Sequence, residues 1–263
     1  MTTSLLLVGC GRMGSALLAG WQRSGLADSV TVVEPHPPAA VQNCLADAAA
    51  LPVSFNPALV VFAVKPQQLS ALLPAYARFT RPGTTFLSIA AGQPIALFEK
   101  ELGAEAAIVR AMPNTPAAIG QGISVAVANA AVTAEGRALA TTALEAGGKV
   151  EWIADESLLD AVTALSGSGP AYVFYLVEVL AKAGIALGLD PALAMRLARQ
   201  TVIGSGHLLD QSSETAEALR QAVTSPGGTT EAALKVLRGE GRMELLFTEA
   251  LTAARDRGRA LAG

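Results

Sequence analysis

Short runs of apolar, often β-branched residues recur along the first half of the chain: Leu5 to Val8, Val30 to Val33, Leu59 to Val64, Thr85 to Ile89, Ala107 to Val109 and Ile123 to Val127. Helical or loop segments separate them. Strands alternating with crossovers imply a mostly parallel sheet covered on both faces. After Asp155 the pattern changes. Ser157 to Leu165, Ala171 to Leu187, Pro191 to Leu209, Ser213 to Val223, Thr230 to Leu237 and Met243 to Leu261 read as helices, with no strand among them. The expected organisation is an α/β domain over residues 1–155 followed by an all-helical domain over 156–263. The segment Ala171 to Leu187 is apolar around most of its circumference, with Glu178 and Lys182 as its one i, i+4 ion pair. A helix so apolar needs cover on several sides, more than one small helical domain supplies, which points to an interdigitated homodimer.

Composition narrows the chemistry. Of 263 residues, 51% are hydrophobic, 16% charged and 5% aromatic, which excludes a disordered chain and calls for an aliphatic core. A net charge of -3 gives no positive field for a phosphate backbone, so no nucleic-acid partner is expected. Cys10 and Cys44 are too few for a disulfide framework, and Met1 is followed by no basic segment or signal core, so a cytoplasmic location is expected. The longest uncharged stretch, Ala111 to Ala134, is broken by Pro113, Asn114, Pro116, Gly120 and Gly122, and no membrane span is expected. With two His and two Cys, neither a metal site nor base-driven acyl transfer is expected. An enzyme of this composition takes its reactive atoms from elsewhere.

A source is visible at the first strand. Gly9-Cys10-Gly11-Arg12-Met13-Gly14 follows it directly and opens the helix-compatible run Ser15 to Trp21. Gly9 permits the tight turn, Gly11 lets a pyrophosphate approach the backbone, and Gly14 lets the helix pack closely on the strand. The whole turn, Cys10, Arg12 and Met13 included, is the candidate cradle of a dinucleotide. Glu34 closes the second strand about 20 residues beyond Gly14, the spacing of a dinucleotide fingerprint. A carboxylate there accepts hydrogen bonds from the adenosine ribose diol and repels the extra phosphate of NADP; its alternative is a charge pointing into solvent. No Lys or Arg occurs between residues 24 and 64, so Arg12 is the only local candidate to hold a 2′-phosphate. The sequence leans to NADH over NADPH.

A second candidate lies in the helical half. Ser225-Pro226-Gly227-Gly228-Thr229-Thr230 is a glycine turn feeding a helix, whose free backbone N–H groups suit a substrate carboxylate. Thr230 offers a hydroxyl that can donate a hydrogen bond, unless both threonines merely cap the helix. Ser225 offers a second hydroxyl or only forms the turn. Lys65 stands where an apolar strand ends, and either its charge serves the cofactor ribose or only the backbone of Val64 and Pro66 matters. Pro113-Asn114-Thr115-Pro116 reads as a rigid loop over the cofactor or a plain turn, and Ser166 to Pro170 as a helix-stopping glycine loop. His36 and His207 read as structural.

Taken with Ala63-Val64-Lys65-Pro66-Gln67, Ser88-Ile89-Ala90-Ala91-Gly92, Met112 to Pro116, Leu165 to Tyr172 and Val223 to Thr230, the chain resembles pyrroline-5-carboxylate reductases from Leu5 to about Leu251. The resemblance implies a Rossmann domain, a helical domain that interlocks with a second subunit, and in some cases rings of dimers. It implies hydride transfer from NADPH or NADH to the C5 imine carbon of pyrroline-5-carboxylate, giving L-proline in the last step of proline biosynthesis. By position, it implies that Ala63, Val64, Lys65, Pro66, Ala90, Ala91 and Gly92 line the nicotinamide end, and that Asn56 is the ribose-contacting asparagine. Gly227, Gly228, Thr229 and Thr230 would hold the substrate, with Thr230 facing the imine nitrogen and Ser225 beside it as the candidate catalytic hydroxyls. Two departures stand out: the segment before Ala63 is short, and Glu34-Pro35-His36 replaces a Ser/Asn-Arg pattern, against the family's usual NADPH preference. A β-hydroxyacid reductase is disfavoured because no downstream Lys-x-x-Asn pair occurs. A non-catalytic nucleotide sensor would not require the Ser225 to Thr230 loop.

Overall fold

The computed structural model describes residues 3–26, 29–38, 41 and 43–262; Met1, Thr2 and Gly263, the outer ends of the two expected domains, lie outside them. Among the described residues eight strands are present: β1 Ser4–Val8, β2 Ser29–Val33, β3 Cys44–Leu45, β4 Leu59–Phe62, β5 Thr85–Ser88, β6 Ala107–Met112, β7 Gly122–Ala128 and β8 Gly148–Trp152. They form one sheet in the order β3-β2-β1-β4-β5-β6-β7-β8. Every neighbouring pair is parallel except β6 with β7. The helices are α1 Arg12–Ser24, α2 Leu69–Leu72, α3 Ile95–Leu102, α4 Ala134–Glu145, α5 Leu159–Val162, α6 Gly169–Ala186, α7 Pro191–Gln211, α8 Ala216–Ala222, α9 Thr229–Arg238 and α10 Arg242–Ala262.

The sheet is mostly parallel, as expected, and two strands wider than the apolar runs indicated. β3 is only two residues long. β8 is an edge strand in which exposed Lys149 and Glu151 alternate with half-buried Val150 and Trp152, so it never shows a continuous apolar run. β6 continues past Val109 through Arg110, a buried cation that a hydrophobicity reading takes as the strand's end.

Period-two side-chain alternation divides the core between the two faces of the sheet. Leu6, Val8, Val60, Phe62, Phe86 and Ile108 pack on one face, under Leu69 of α2, Tyr76, Phe79 and Phe98 of α3. Leu5, Leu7, Val61, Leu87 and Val109 pack on the other, under α1 and α4. The scarce aromatics are concentrated on the first face, where Phe62 meets Tyr76 edge-on at 5.4 Å and stacks with Phe86 at 6.2 Å. Trp21 anchors the second face, its indole N–H donating to Ala143 O at 2.8 Å. Each such side chain contributes about 1.5–3 kcal/mol by leaving water.

The chain forms two compact units. One comprises the sheet and its helices as far as Gly167 together with the chain end from Ala254, and the other spans Ser168–Ala253. Packing of the first unit runs past residue 155 because Leu159 is buried in the sheet's core. The segment Ser166 to Pro170 does not stop the helix as expected. Thr163–Gly167 forms a π-helical turn and α6 starts at Gly169. Hydroxyls of Thr163 and Ser166 return to the carbonyls of Leu159 and Val162 at 2.7 and 3.0 Å, giving the widened turn local partners.

The second unit has almost no core of its own. Among the described residues its buried hydrophobics are Ala181, Ala194 and Ala198, while Val173, Phe174 and Tyr175 on α6 are 45%, 64% and 61% exposed. The helical run Glu156–Ala186 is also long and apolar enough, by length and composition, to cross a membrane.

Candidate functional site

The glycine turn has three separate steric explanations. Gly9 adopts φ +90°, and a Cβ there would lie 2.8 Å from Ala63 O and 2.7 Å from Val64 Cγ1. A Cβ on Gly14 would lie 2.5 Å from Gly9 O, so both glycines are required by the fold itself. Gly11 is different: a Cβ there would meet nothing within 4 Å. It is also the N-cap of α1 and provides no side-chain cap, so the first-turn amides face outward without an intrahelical acceptor. An open cradle at a helix N-terminus fits a diphosphate. Cys10, expected as part of the cradle, brings neither its thiol, buried 3.5 Å from Ser15 Oγ, nor its amide, which Glu34 already holds. Arg12 is exposed at the start of α1 and Met13 is half-buried.

Glu34 does not project freely into solvent. Its Oε2 accepts the Cys10 amide at 2.9 Å and its Oε1 the His36 amide at 3.1 Å. The carboxylate is thereby fixed on the glycine turn at the end of β2. Cys44 Sγ lies 3.6 Å from Glu34 O, and burial pushes the Cys44 thiol up.

Two further loops end at the same carboxyl edge of the sheet. Ala63 follows β4 with its amide on Val8 O at 2.7 Å, then Val64, exposed Lys65 and Pro66 lead into a short 3₁₀ turn. Buried Ala90 and half-buried Ala91 and Gly92 follow β5, with Gly92 at φ +72°. Asn56 is not brought to this edge. It precedes β4, exposed between Phe55 and Pro57 at the strand's opposite end, in keeping with the short segment before Ala63 that departs from the family pattern. The carboxyl edge beyond β3 instead carries Ala46 and Asp47, which sequence reading passed over because a two-residue strand gives no periodic signal.

Asn114 acts as a brace within the first unit. Its Oδ1 accepts the Ile123 amide at 3.0 Å and its Nδ2 donates to Ser166 O at 3.2 Å, joining the loop after β6 to the π-helical turn. Among the described residues, no group of three or more His, Cys, Asp and Glu is placed to hold a metal ion.

In the second unit, Gly228 is the N-cap of α9 and no side chain caps the helix. Thr229 and Thr230 occupy its first two positions, so neither hydroxyl is used as an N-cap. Gly227 adopts φ +71°, and the Gly228 amide closes the turn on Ser225 O at 3.0 Å. One expectation needs correction: the Gly227 amide, counted among the anion-holding groups, already donates to Glu231 Oε2 at 2.6 Å. Glu231 sits at the third helical position and reaches back over the cap in the manner of a capping box, which leaves the anion seat to the amides that start α9. A cavity of about 850 Å³ beside this loop is lined by Arg220, Gly227, Gly228, Glu231, Lys235 and Arg238 among others, but not by Ser225, Thr229 or Thr230. It is therefore separate from the hydroxyl face.

Fold and edge define the class: a dinucleotide-dependent oxidoreductase with a Rossmann-type domain. Residues 4–92 match the family model described as NADP oxidoreductase coenzyme F420-dependent, and residues 156–261 match pyrroline-5-carboxylate reductase dimerisation. The chain is 39% identical to the pyrroline-5-carboxylate reductase of Pseudomonas aeruginosa over 99% of its own length and 97% of that protein's. It superposes on the pyrroline-5-carboxylate reductase of Coxiella burnetii with a TM-score of 0.92 at 34% identity, covering 100% of both chains. On the NADP-bound Plasmodium falciparum pyrroline carboxylate reductase the TM-score is 0.83 at 28% identity, covering 99% of this chain and 98% of the other. The chain belongs to the pyrroline-5-carboxylate reductase family.

Proposed function

We propose that this protein reduces the imine of 1-pyrroline-5-carboxylate to L-proline, the last step of proline biosynthesis, acting as a cytoplasmic homodimer that prefers NADH to NADPH. The observation that carries the reaction is the family match along 99% of the chain. Residues 1–155 hold the dinucleotide, and residues 156–263 hold the substrate and the partner subunit. The turn Gly9 to Gly14 holds the diphosphate, and the loops Ala63 to Pro66 and Ala90 to Gly92 hold the nicotinamide end. When bound, the reduced nicotinamide supplies a hydride to C5 of the ring.

The chain's own residues have a lighter task, which suits its composition. Thr229 and Thr230 present the unoccupied first-turn amides of α9 to the substrate carboxylate, with no arginine needed. Thr230 Oγ orients the ring nitrogen, and Ser225 adds a second hydroxyl to the same loop. A hydroxyl is a weak general acid, but a cyclic imine can enter already protonated, so orientation outweighs proton delivery.

The NADH preference rests on Glu34. Its two backbone bonds fix a negative charge on the turn, where a 2′-phosphate would meet it, and no Lys or Arg between residues 24 and 64 offsets that charge. The test is kcat/KM for NADH and NADPH measured separately with pyrroline-5-carboxylate. The higher value is expected for NADH, and a large NADPH preference would overturn this assignment. The apolar faces of α6, exposed in the single chain, are covered by the second subunit rather than by lipid.

A further inference from the structure

Among the described residues, Arg110 is the one charged side chain that is buried. It stands on β6 in register with Ser88 of β5, the strand that leads into Ala90 to Gly92. Its Nη1 lies 2.8 Å from Glu156 Oε1. The same oxygen accepts the amide of Ile95 at 2.8 Å, across 61 positions of sequence. Ile95 is the first residue of α3, a helix that begins after Pro94 with no side-chain cap and no acidic residue in its first turn. Glu156 thus supplies from a distance the cap and the negative charge that the start of α3 lacks. At the other end of the same loop, Ser88 Oγ accepts the Ala90 amide at 3.3 Å. The segment between is clamped at both ends, and the residues behind the two clamps, Ser88 and Arg110, are sheet neighbours.

An ion pair that takes a buried cation such as Arg110 out of water gives little net stability over apolar side chains of the same size, even with Glu156 half-buried, so its use here calls for another reason. We propose that Arg110 and Glu156 are positioning residues that hold the loop Ala90 to Gly92 in the conformation that receives the nicotinamide. This rests on the reading that the loop lines the nicotinamide end. Glu156 closes the far clamp on α3, Arg110 fixes the carboxylate that does so, and neither touches the reacting atoms.

Three variants test it. Arg110→Met/Glu156→Leu removes both charges together, leaving no orphan cation to unfold the protein, and also removes the acceptor for Ile95. Glu156→Gln keeps an acceptor at that place. Gly92→Ala strains the loop directly at its positive φ. Hydrogen exchange of the segment 89–98 without cofactor, dinucleotide binding stoichiometry and single-turnover rate per bound dinucleotide are the readouts. The double variant is expected to exchange about tenfold faster in that segment, with the glycine turn unchanged, and to turn over at least about tenfold more slowly per occupied site, the scale of a small misplacement. Glu156→Gln, which keeps an acceptor for Ile95 but leaves Arg110 without its counter-charge, is expected to fall between the parent and the double variant on both. A variant that was merely destabilised would lose binding stoichiometry while its occupied sites kept the parent rate. Parent-like exchange or parent-like turnover in the double variant, with Gly92→Ala impaired, overturns the positioning role. Parent-like turnover in Gly92→Ala overturns the placement of the loop itself, and the proposal with it.

Discussion

Thr230 is where a single atom carries most of the account. Gly228 leaves its hydroxyl without capping work, and Thr230→Ala is expected to lower kcat/KM for pyrroline-5-carboxylate by about 1–3 kcal/mol of transition-state stabilisation in steady-state assays, the scale of one placed hydrogen bond. Glu34 is the corresponding residue for the cofactor. Removing its charge with Glu34→Gln should raise NADPH efficiency relative to NADH by about tenfold, near 1.4 kcal/mol, because the fixed negative charge is lost while a bond from Cys10 can remain. An unchanged ratio would show that the carboxylate serves the turn alone. The glycines of the turn separate fold from function in the same way. Gly9→Ala forces a side chain into φ +90° and onto Ala63 O, and should cost about 3 kcal/mol or more, seen as a lower Tm. Gly11→Ala meets no protein atom within 4 Å, so its Tm should stay near the parent's while dinucleotide affinity falls. The opposite pattern would place the cradle elsewhere.

At the scale of elements, legibility followed the physics of each signal. β1, β4 and β5 are buried on both faces and therefore read as continuous apolar runs, as did β2, which is buried only at Val32 and Val33, and the amphipathic or fully apolar helices. The glycine turn was legible because its spacing is local. β8 was missed because an edge strand alternates charge with apolar residues, and β6 was cut short because Arg110 is paired with a residue 46 positions away. No local pattern reports such a partner. The same limit applies to Glu231, whose hold on Gly227 spends one of the amides assigned to the anion, and to the π-helical turn that replaced an expected helix stop. Asn56 was misplaced for a related reason: matching by residue type across a shortened segment cannot tell which edge of a sheet a loop belongs to.

At the scale of the whole molecule, the paucity of charge and the exposed helices form one picture. A chain with 51% hydrophobic residues leaves Phe174 and Tyr175 more than half exposed when alone, which the proposed second subunit would correct by covering α6. Sedimentation at low micromolar concentration should give a dimer or a multiple of one, and Phe174→Glu should shift it toward monomer with a lower Tm. A stable monomer of the parent protein would contradict the covered-helix account. The same scale explains how two histidines suffice. In the proposed mechanism backbone amides hold the anions and the dinucleotide carries the reacting hydrogen, so the protein supplies placement rather than reactive side chains. The most direct test of this account is to add pyrroline-5-carboxylate to the purified protein with NADH, and separately with NADPH, and to quantify proline against dinucleotide oxidised. One proline per dinucleotide consumed is expected; no oxidation of either dinucleotide, or oxidation without proline, would contradict it.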